Sequence, residues 1–205
     1  MKSSTSTGWF AITADQRRSR TSPDRVPAAL SALAGLPGLA LAFERTAGDE
    51  LQGLTADPAT VVAAVAALTR VGGFRIGIGF GEVDEPLPAS TRAARGPAYL
   101  AAREGVDQHS QAVRVVTHTT GTGAITEAAT DAETVLLALS GLLERRTAQG
   151  WEVVDLVESG LTGAQAAARL GITASAVSQR LKVADHGLVK RLTALAERLL
   201  AGVAS

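Results

Sequence analysis

LTGAQAAARLGITASAVSQRLKV, residues 161–183, sets the organisation of the whole chain. Thr162, followed three residues later by Gln165, predicts a capping box at a helix start. Ala166, Ala167 and Leu170 give that helix a small-residue inner face, and Gly171 ends it. After the turn Gly171-Ile172-Thr173, the spacing predicts a second helix from Ala174 to Lys182, burying Val177 and Leu181 at i, i+4. Small residues let two helices cross closely, and the glycine permits the tight turn between them. This is the layout of a helix-turn-helix, with an ordinary helical hairpin as the bland alternative. Thr173, Ser175, Ser178, Gln179, Arg180 and Lys182 are short polar or cationic groups suited to base edges and phosphates. They are the candidate DNA-binding residues, and double-stranded DNA is the expected partner.

On the C-terminal side, Asp185–Gly202 predicts an amphipathic helix with Leu188, Leu192, Leu195 and Leu199 on one face. Such a face either covers a core or forms a dimer seam. On the N-terminal side, one long helix is expected over Asp131–Gln149 and another over Trp151–Ser159, ended by Gly160. The long helix would connect this region to the rest of the chain.

Composition sets wide bounds. With 205 residues, 46% hydrophobic and 20% charged, the chain is an ordinary globular one with room for one large or two small domains. It has no cysteine, so disulfides, thiolate zinc sites and cysteine nucleophiles are excluded. The 3 histidines, His109, His118 and His186, are far apart and show no metal-ligand spacing. No apolar run is long enough to span a bilayer, and MKSSTSTGW lacks the apolar centre of a signal peptide, so a cytoplasmic protein is expected. Lys+Arg against Asp+Glu stands at 14 to 15 over residues 1–150 and 6 to 5 over 151–205. The helical half is therefore only weakly basic, and attraction of one copy to phosphates is modest. That favours a homodimer on two half-sites.

Residues 1–125 read as an α/β domain and 126–205 as the helical domain. After a polar, frayed start at residues 1–8, Trp9–Thr13 predicts a buried strand that delivers Asp15 to its end. Arg17, Arg18 and Arg20 follow in a polar loop. Val26–Leu33 is a helix, and Leu39–Glu44 and Leu51–Leu54 are strands of a hairpin turned at Thr46–Asp49. Asp57-Pro58 caps the next helix. Phe74–Phe80 is a fourth strand whose flanking and internal glycines, Gly77, Gly79 and Gly81, allow close approach of backbone or ligand. Pro97–Gly105 is a helix, Ala112–Thr117 a fifth strand, and Gly121 and Gly123 mark a turn. Strand, helix, hairpin, helix, strand is a ferredoxin-like βαββαβ order. The first and second strands are expected to be neighbours, so that Asp15 and Asp49 reach one point, and two carboxylates with phosphate oxygens and waters suit Mg²⁺.

Four segments resemble the class III nucleotidyl cyclases. FERTAGDELQGL (Phe43–Leu54) is similar to their hairpin, FRIGIGFGEV (Phe74–Val83) to their glycine-rich strand, and GPAYLAARE (Gly96–Glu104) to their helix motif. AITADQRRSR (Ala11–Arg20) resembles the cyclase opening and that of the SatD family. The four come in the family's order and cover about residues 9–118. A cyclase-like domain joined to a helix-turn-helix resembles the SatD proteins. The resemblance implies that Asp15 and Asp49 are metal-binding aspartates and that Arg103 is the arginine of the transition state. It puts Arg45 where the cyclases keep a purine-reading lysine and Tyr99 where they keep a ribose-orienting asparagine. Gly79 and Phe80 replace a histidine and a small residue. Arginine lacks the shape of lysine, and tyrosine lacks the paired geometry of an amide. The expectation is a degenerate cyclase with no catalytic residue beyond the remnant Arg103. Its nucleotide site, for ATP, GTP or a cyclic nucleotide, would comprise Asp15, Arg17, Arg18, Arg20, Arg45, Asp49, Tyr99 and Arg103. A working cyclase gated by the helical domain is the alternative, and an α/β domain that merely dimerises the DNA-binding heads is a third possibility.

Overall fold

A computed structural model describes residues 8–107, 112–119, 122–124 and 127–204. Residues 1–7, His109 and Gly121 lie outside the described residues. The sheet strands are β1 (Trp9–Gln16), β2 (Leu39–Arg45), β3 (Glu50–Thr55), β4 (Phe74–Gly81), β5 (Val113–Thr119) and β6 (Thr122–Ala124). The helices are α1 (Val26–Leu33), α2 (Pro58–Val71), α3 (Pro97–Asp107), α4 (Glu127–Glu144), α5 (Ala148–Glu158), α6 (Gly163–Leu170), α7 (Ala174–Val183) and α8 (His186–Val203). A mixed sheet domain is thus followed by helices, as expected.

The sheet order is β2-β3-β1-β4-β5-β6. β1 pairs antiparallel with β3 and β4, and β5 extends the sheet parallel to β4. The first four strands have the ferredoxin-like arrangement, but β1 and β2 are not neighbours. In this split β-α-β unit the hairpin returns β3 into the space between them, so β3 carries the residues opposite Asp15. β1 also runs on to Gln16, which puts Asp15 inside the strand. β6 replaces the turn expected around Gly123 and closes a hairpin with β5.

Alternation along β1 and β4 divides the sheet faces. Phe10, Ile12, Ala14, Ile76 and Ile78 enter the main core with α1, α2, α4 and α8, while Ala11 faces a smaller cluster with Tyr99, Ala98 and Ala102 of α3. β4 has no side chain beyond hydrogen at Gly77 and Gly79. A Cβ there would stand 1.9 Å from the Ala102 carbonyl oxygen and 2.1 Å from that of Ala98, so α3 lies directly on the strand. The glycines serve the approach of a helix backbone.

α2 starts as expected: the Asp57 side chain accepts from the N–H groups of Ala59 and Thr60 and from the Thr60 hydroxyl. These bonds, the Thr60 hydroxyl first, hold the Asp57 carboxyl below its ordinary value of 3.8. Its cap therefore contributes fully above that value and is lost as pH falls through the lowered folded value. Asp57→Ala is expected to cost about 1 kcal/mol at neutral pH, with the gap to wild type closing in acid below about pH 4. Urea melts across pH would check it.

Two helices stand where two were expected, but the break between them falls at residues 145–147, about five residues before Gly150. α4 ends at Glu144, the chain turns, and the Thr147 hydroxyl accepts from the Gly150 N–H to start α5. A threonine N-cap offers the backbone an alternative to continuing the helix. α4, the expected connector, is also part of the main core, where Ala129, Ala132, Leu136, Leu139 and Leu143 are buried. α8 covers the core through Ala196 and Leu200, both fully buried, with Val189, Leu192, Leu199 and Val203 packed around them, while Leu188 of the expected apolar face stays exposed.

Candidate functional site

The helix-turn-helix forms as its sequence dictates. Thr162 and Gln165 make both bonds of the capping box, and Gly171 adopts φ +64°, the left-handed region that favours glycine. Val153 of α5, Ala166, Ala167 and Val177 form a separate small core, with Leu156, Leu170, Ile172 and Leu181 packed on it. Ser175, Ser178, Gln179 and Lys182 are exposed on the far side of α7. The other two candidates are tied more closely to the fold. The Thr173 hydroxyl accepts from the Ala176 N–H at 3.1 Å as the α7 cap, and Arg180 faces Glu152 of α5 at 3.6 Å. Ser178 donates to its own helix at the Ala174 carbonyl, 3.1 Å. Ser175, Gln179 and Lys182 have no such partner among the described residues, and this is the face free to meet a ligand.

A second site lies at one end of the sheet. Register sets Arg75, Asp15 and Glu50 side by side on β4, β1 and β3, on one face. Arg75 Nη2 lies 2.6 Å from Asp15 Oδ2, and Arg103 reaches from α3 to Glu50 Oε1 at 2.7 Å. An opening of about 500 Å³ is lined by Asp15, Arg18, Arg20, Asp49 and Arg75. Next to it, Arg17, Arg18, Arg25 and Gly73 line another of about 430 Å³. The loop between them is built by Gln16, whose buried amide donates to Ser22 Oγ and the Pro23 carbonyl and accepts from the Arg25 N–H at 2.7 Å. Arg18 is held at φ +59°, its carbonyl accepting from the N–H groups of Thr21 and Ser22. That conformation is uncommon for a residue with a side chain and needs such support. Arg18 and Arg20 make no ion pair among the described residues, whereas Arg17 lies 3.8 Å from Glu144, the last residue of α4.

The eight nucleotide-site candidates are therefore only partly assembled. Asp15, Arg18, Arg20 and Asp49 meet at one opening, with Arg17 at its neighbour. Arg45 lies on edge strand β2 in a two-oxygen ion pair with Asp24, and its guanidinium holds that carboxyl below the ordinary range. Arg103 is committed to Glu50. Tyr99 packs in the cluster under α3, its hydroxyl buried without a hydrogen-bond partner, and burial pushes its pKa up to about 12. Because that hydroxyl is unsatisfied, Tyr99→Phe is expected to be neutral or to stabilise by up to about 1 kcal/mol. A thermal melt clearly below wild type would contradict this placement. Sequence reasoning missed Gln16, Arg25 and Arg75. The last could have been found from the β1–β4 register, which no single segment contains.

Among the described residues no group of three or more His, Asp or Glu side chains is placed to hold a metal ion. Asp15 and Asp49 fit Mg²⁺ only where a ligand's phosphate oxygens and waters complete the shell, since one Asp15 oxygen already faces Arg75. Among the described residues no helix is long and apolar enough to cross a membrane.

Comparison with known proteins adds little. No protein-family profile and no curated protein matches the chain. Among solved structures, a regulator of polyketide synthase expression from Bifidobacterium adolescentis aligns over 94% of this chain and 81% of its own, at 16% identity and a TM-score of 0.29. A score that low assigns neither fold nor role.

Proposed function

We propose that this protein is a DNA-binding transcription regulator whose α/β half binds a nucleotide and thereby adjusts DNA affinity. The observation that carries the DNA half is the exposed face of α7, with Ser175, Gln179 and Lys182 unpartnered on a helix capped at both flanking turns and seated on its own small core. A recognition helix must be rigid, accessible and polar on one side only. The helical half's excess of a single positive charge, 6 Lys+Arg against 5 Asp+Glu over residues 151–205, supports action as a homodimer on paired half-sites.

The nucleotide, ATP, GTP or a cyclic form, would lay its phosphates against Arg18, Arg20 and Arg75. Arginine forks suit phosphate oxygens, and Asp15 and Asp49 would share a Mg²⁺ brought in by those phosphates. Engagement of Arg103 and Arg45 elsewhere supports binding without turnover. A route to the DNA-binding half exists at Arg17, whose partner Glu144 directly precedes the turn into α5. Two half-exposed groups at that distance contribute little by themselves, so the ligand must favour one arrangement of the loop to have an effect.

The test is a thermal-shift screen of the full chain against ATP, GTP and cyclic mono- and dinucleotides, with and without Mg²⁺. Ligand at 100 times its Kd adds about 2.7 kcal/mol of stability. One compound is expected to raise the melting temperature by several degrees, with the shift lost in Arg18→Ala/Arg20→Ala. Absence of any shift would discard the nucleotide half. Formation of a cyclic product from ATP or GTP would replace the sensor with an enzyme.

A further inference from the structure

Where α4 breaks and α5 begins, Arg146 is buried at 9% exposure. Its Nη2 donates to the Ala184 carbonyl at 3.0 Å, but its Nε is enclosed with no acceptor. No carboxylate of the described residues stands within ion-pairing distance of it. A guanidinium always carries its charge, and buried charges are ordinarily paired. The same side chain lies over the Trp151 ring, 4.4 Å from its centroid, where Arg70 also sits at 4.3 Å. Burial disfavours the Arg146 charge most and Arg70 adds to that, while Asp155, Asp185 and Glu158 favour it from beyond ion-pairing distance.

Arg146 lines a cavity of about 420 Å³ between α2, α4, α5 and α8. This volume is in the range of small-molecule sites, about 300–1,000 Å³. Its walls are mostly apolar, supplied by Leu139, Leu143, Trp151 and Val189. Two acids are present. Glu158 is engaged by His186 Nε2 at 3.3 Å and Lys190 Nζ at 3.8 Å, and Glu197 lies further along α8. With Lys190 and His186 turned to Glu158, Arg146 is the cation in this wall with no carboxylate in direct contact, which leaves a place for one negative charge, and the two carboxylates in the same lining repel a second.

We propose that this cavity binds a small amphipathic monocarboxylate, its carboxylate on Arg146 and its apolar body along Trp151, Leu139 and Leu143. Phosphates and dicarboxylates are excluded by Glu158 and Glu197. The site is separate from the arginine loop and from the α7 face. It touches α5 and α8, the helices that flank the DNA-binding pair, so an occupant there is placed to alter DNA affinity; that consequence alone rests on the function proposed above.

Trp151 makes the site observable. The chain has 2 tryptophans, so in a Trp9→Phe background Trp151 alone emits. Octanoate and benzoate, titrated against the full chain, are expected to change its emission saturably. Octanamide and benzamide, equal in shape but uncharged, should bind at least tenfold more weakly, as should the acids to Arg146→Gln. Ala194→Phe, at an exposed wall position, fills the cavity while leaving Arg146 in place, and is expected to abolish saturation. Unsaturable emission, or equal Kd for acid and amide, would overturn the proposal. Unchanged affinity in a folded Arg146→Gln would do the same. If Arg146→Gln does not fold, the acid–amide difference and Ala194→Phe decide by themselves.

Discussion

Gly79→Val is expected to destabilise the fold by about 3 kcal/mol or more. An added Cβ at Gly79 would stand 2.1 Å from the Ala98 carbonyl oxygen and 2.3 Å from the Ala102 nitrogen. Both are helix backbone atoms, so no side-chain rotation relieves the clash. α3 would have to lift from β4, exposing Ala98, Tyr99 and Ala102 and separating Arg103 from Glu50. Overpacking of this kind costs about 3 kcal/mol or more, a large share of the 5–15 kcal/mol by which domains are typically stable. Gly141→Ala provides the contrast. It lies within α4, its Cβ would meet nothing nearer than Arg145 Nη1 at 3.8 Å, and alanine in a helix interior is favoured by roughly 0.5–1 kcal/mol. Circular dichroism and urea melts of both variants measure the difference. A Gly79→Val protein within about 1 kcal/mol of wild type would refute the direct seating of α3 on the strand.

The second large effect is on DNA. Ser175→Ala/Gln179→Ala/Lys182→Ala removes the free polar face of α7 without touching Val177, the Thr173 cap or Gly171. Exposed substitutions of this sort change stability by about 0.5 kcal/mol or less each, so the variant should melt like wild type. Base contacts contribute about 1–3 kcal/mol apiece, and a loss of roughly 100-fold or more in affinity is expected for a duplex selected from a random library by the wild-type chain. Lys182→Ala alone should weaken binding evenly across sequences and lower the salt slope by about 1. Fluorescence anisotropy over a salt series reads both. A folded triple variant that binds like wild type would remove α7 from the role of recognition helix.

The legibility of these two sites differs for a physical reason. Everything that makes α6 and α7 is local: a capping box three residues wide, a left-handed glycine, and apolar groups one turn apart. Such signals act over a handful of residues, and the boundaries of both helices followed from them. The Asp57 cap and the β2–β3 hairpin were equally plain. At the arginine loop the local part, Arg18 and Arg20 after Asp15, was visible. Its scaffold was not, because Gln16 bonds to a loop up to nine residues away and Arg75 arrives from 60 residues along the chain. Tyr99, Arg45 and Arg103 illustrate the limit of motif position. Each occupies a place that a cyclase-like pattern would give to a ligand, and each faces a partner or a core elsewhere.

By itself, then, the sequence determined most of the elements, their βαββαβ succession along the chain and the polar face of α7, since caps, turns and periodicity act between residues close in the chain. Tertiary structure alone decided that β3 lies between β1 and β2, that α3 rests on the glycines of β4, and that α4 and α8 belong to the main core. It also left Arg146 buried beside Trp151 with no carboxylate in direct contact. These outcomes depend on which apolar surfaces find each other across many residues, and burial is a property of the packed whole that no segment carries.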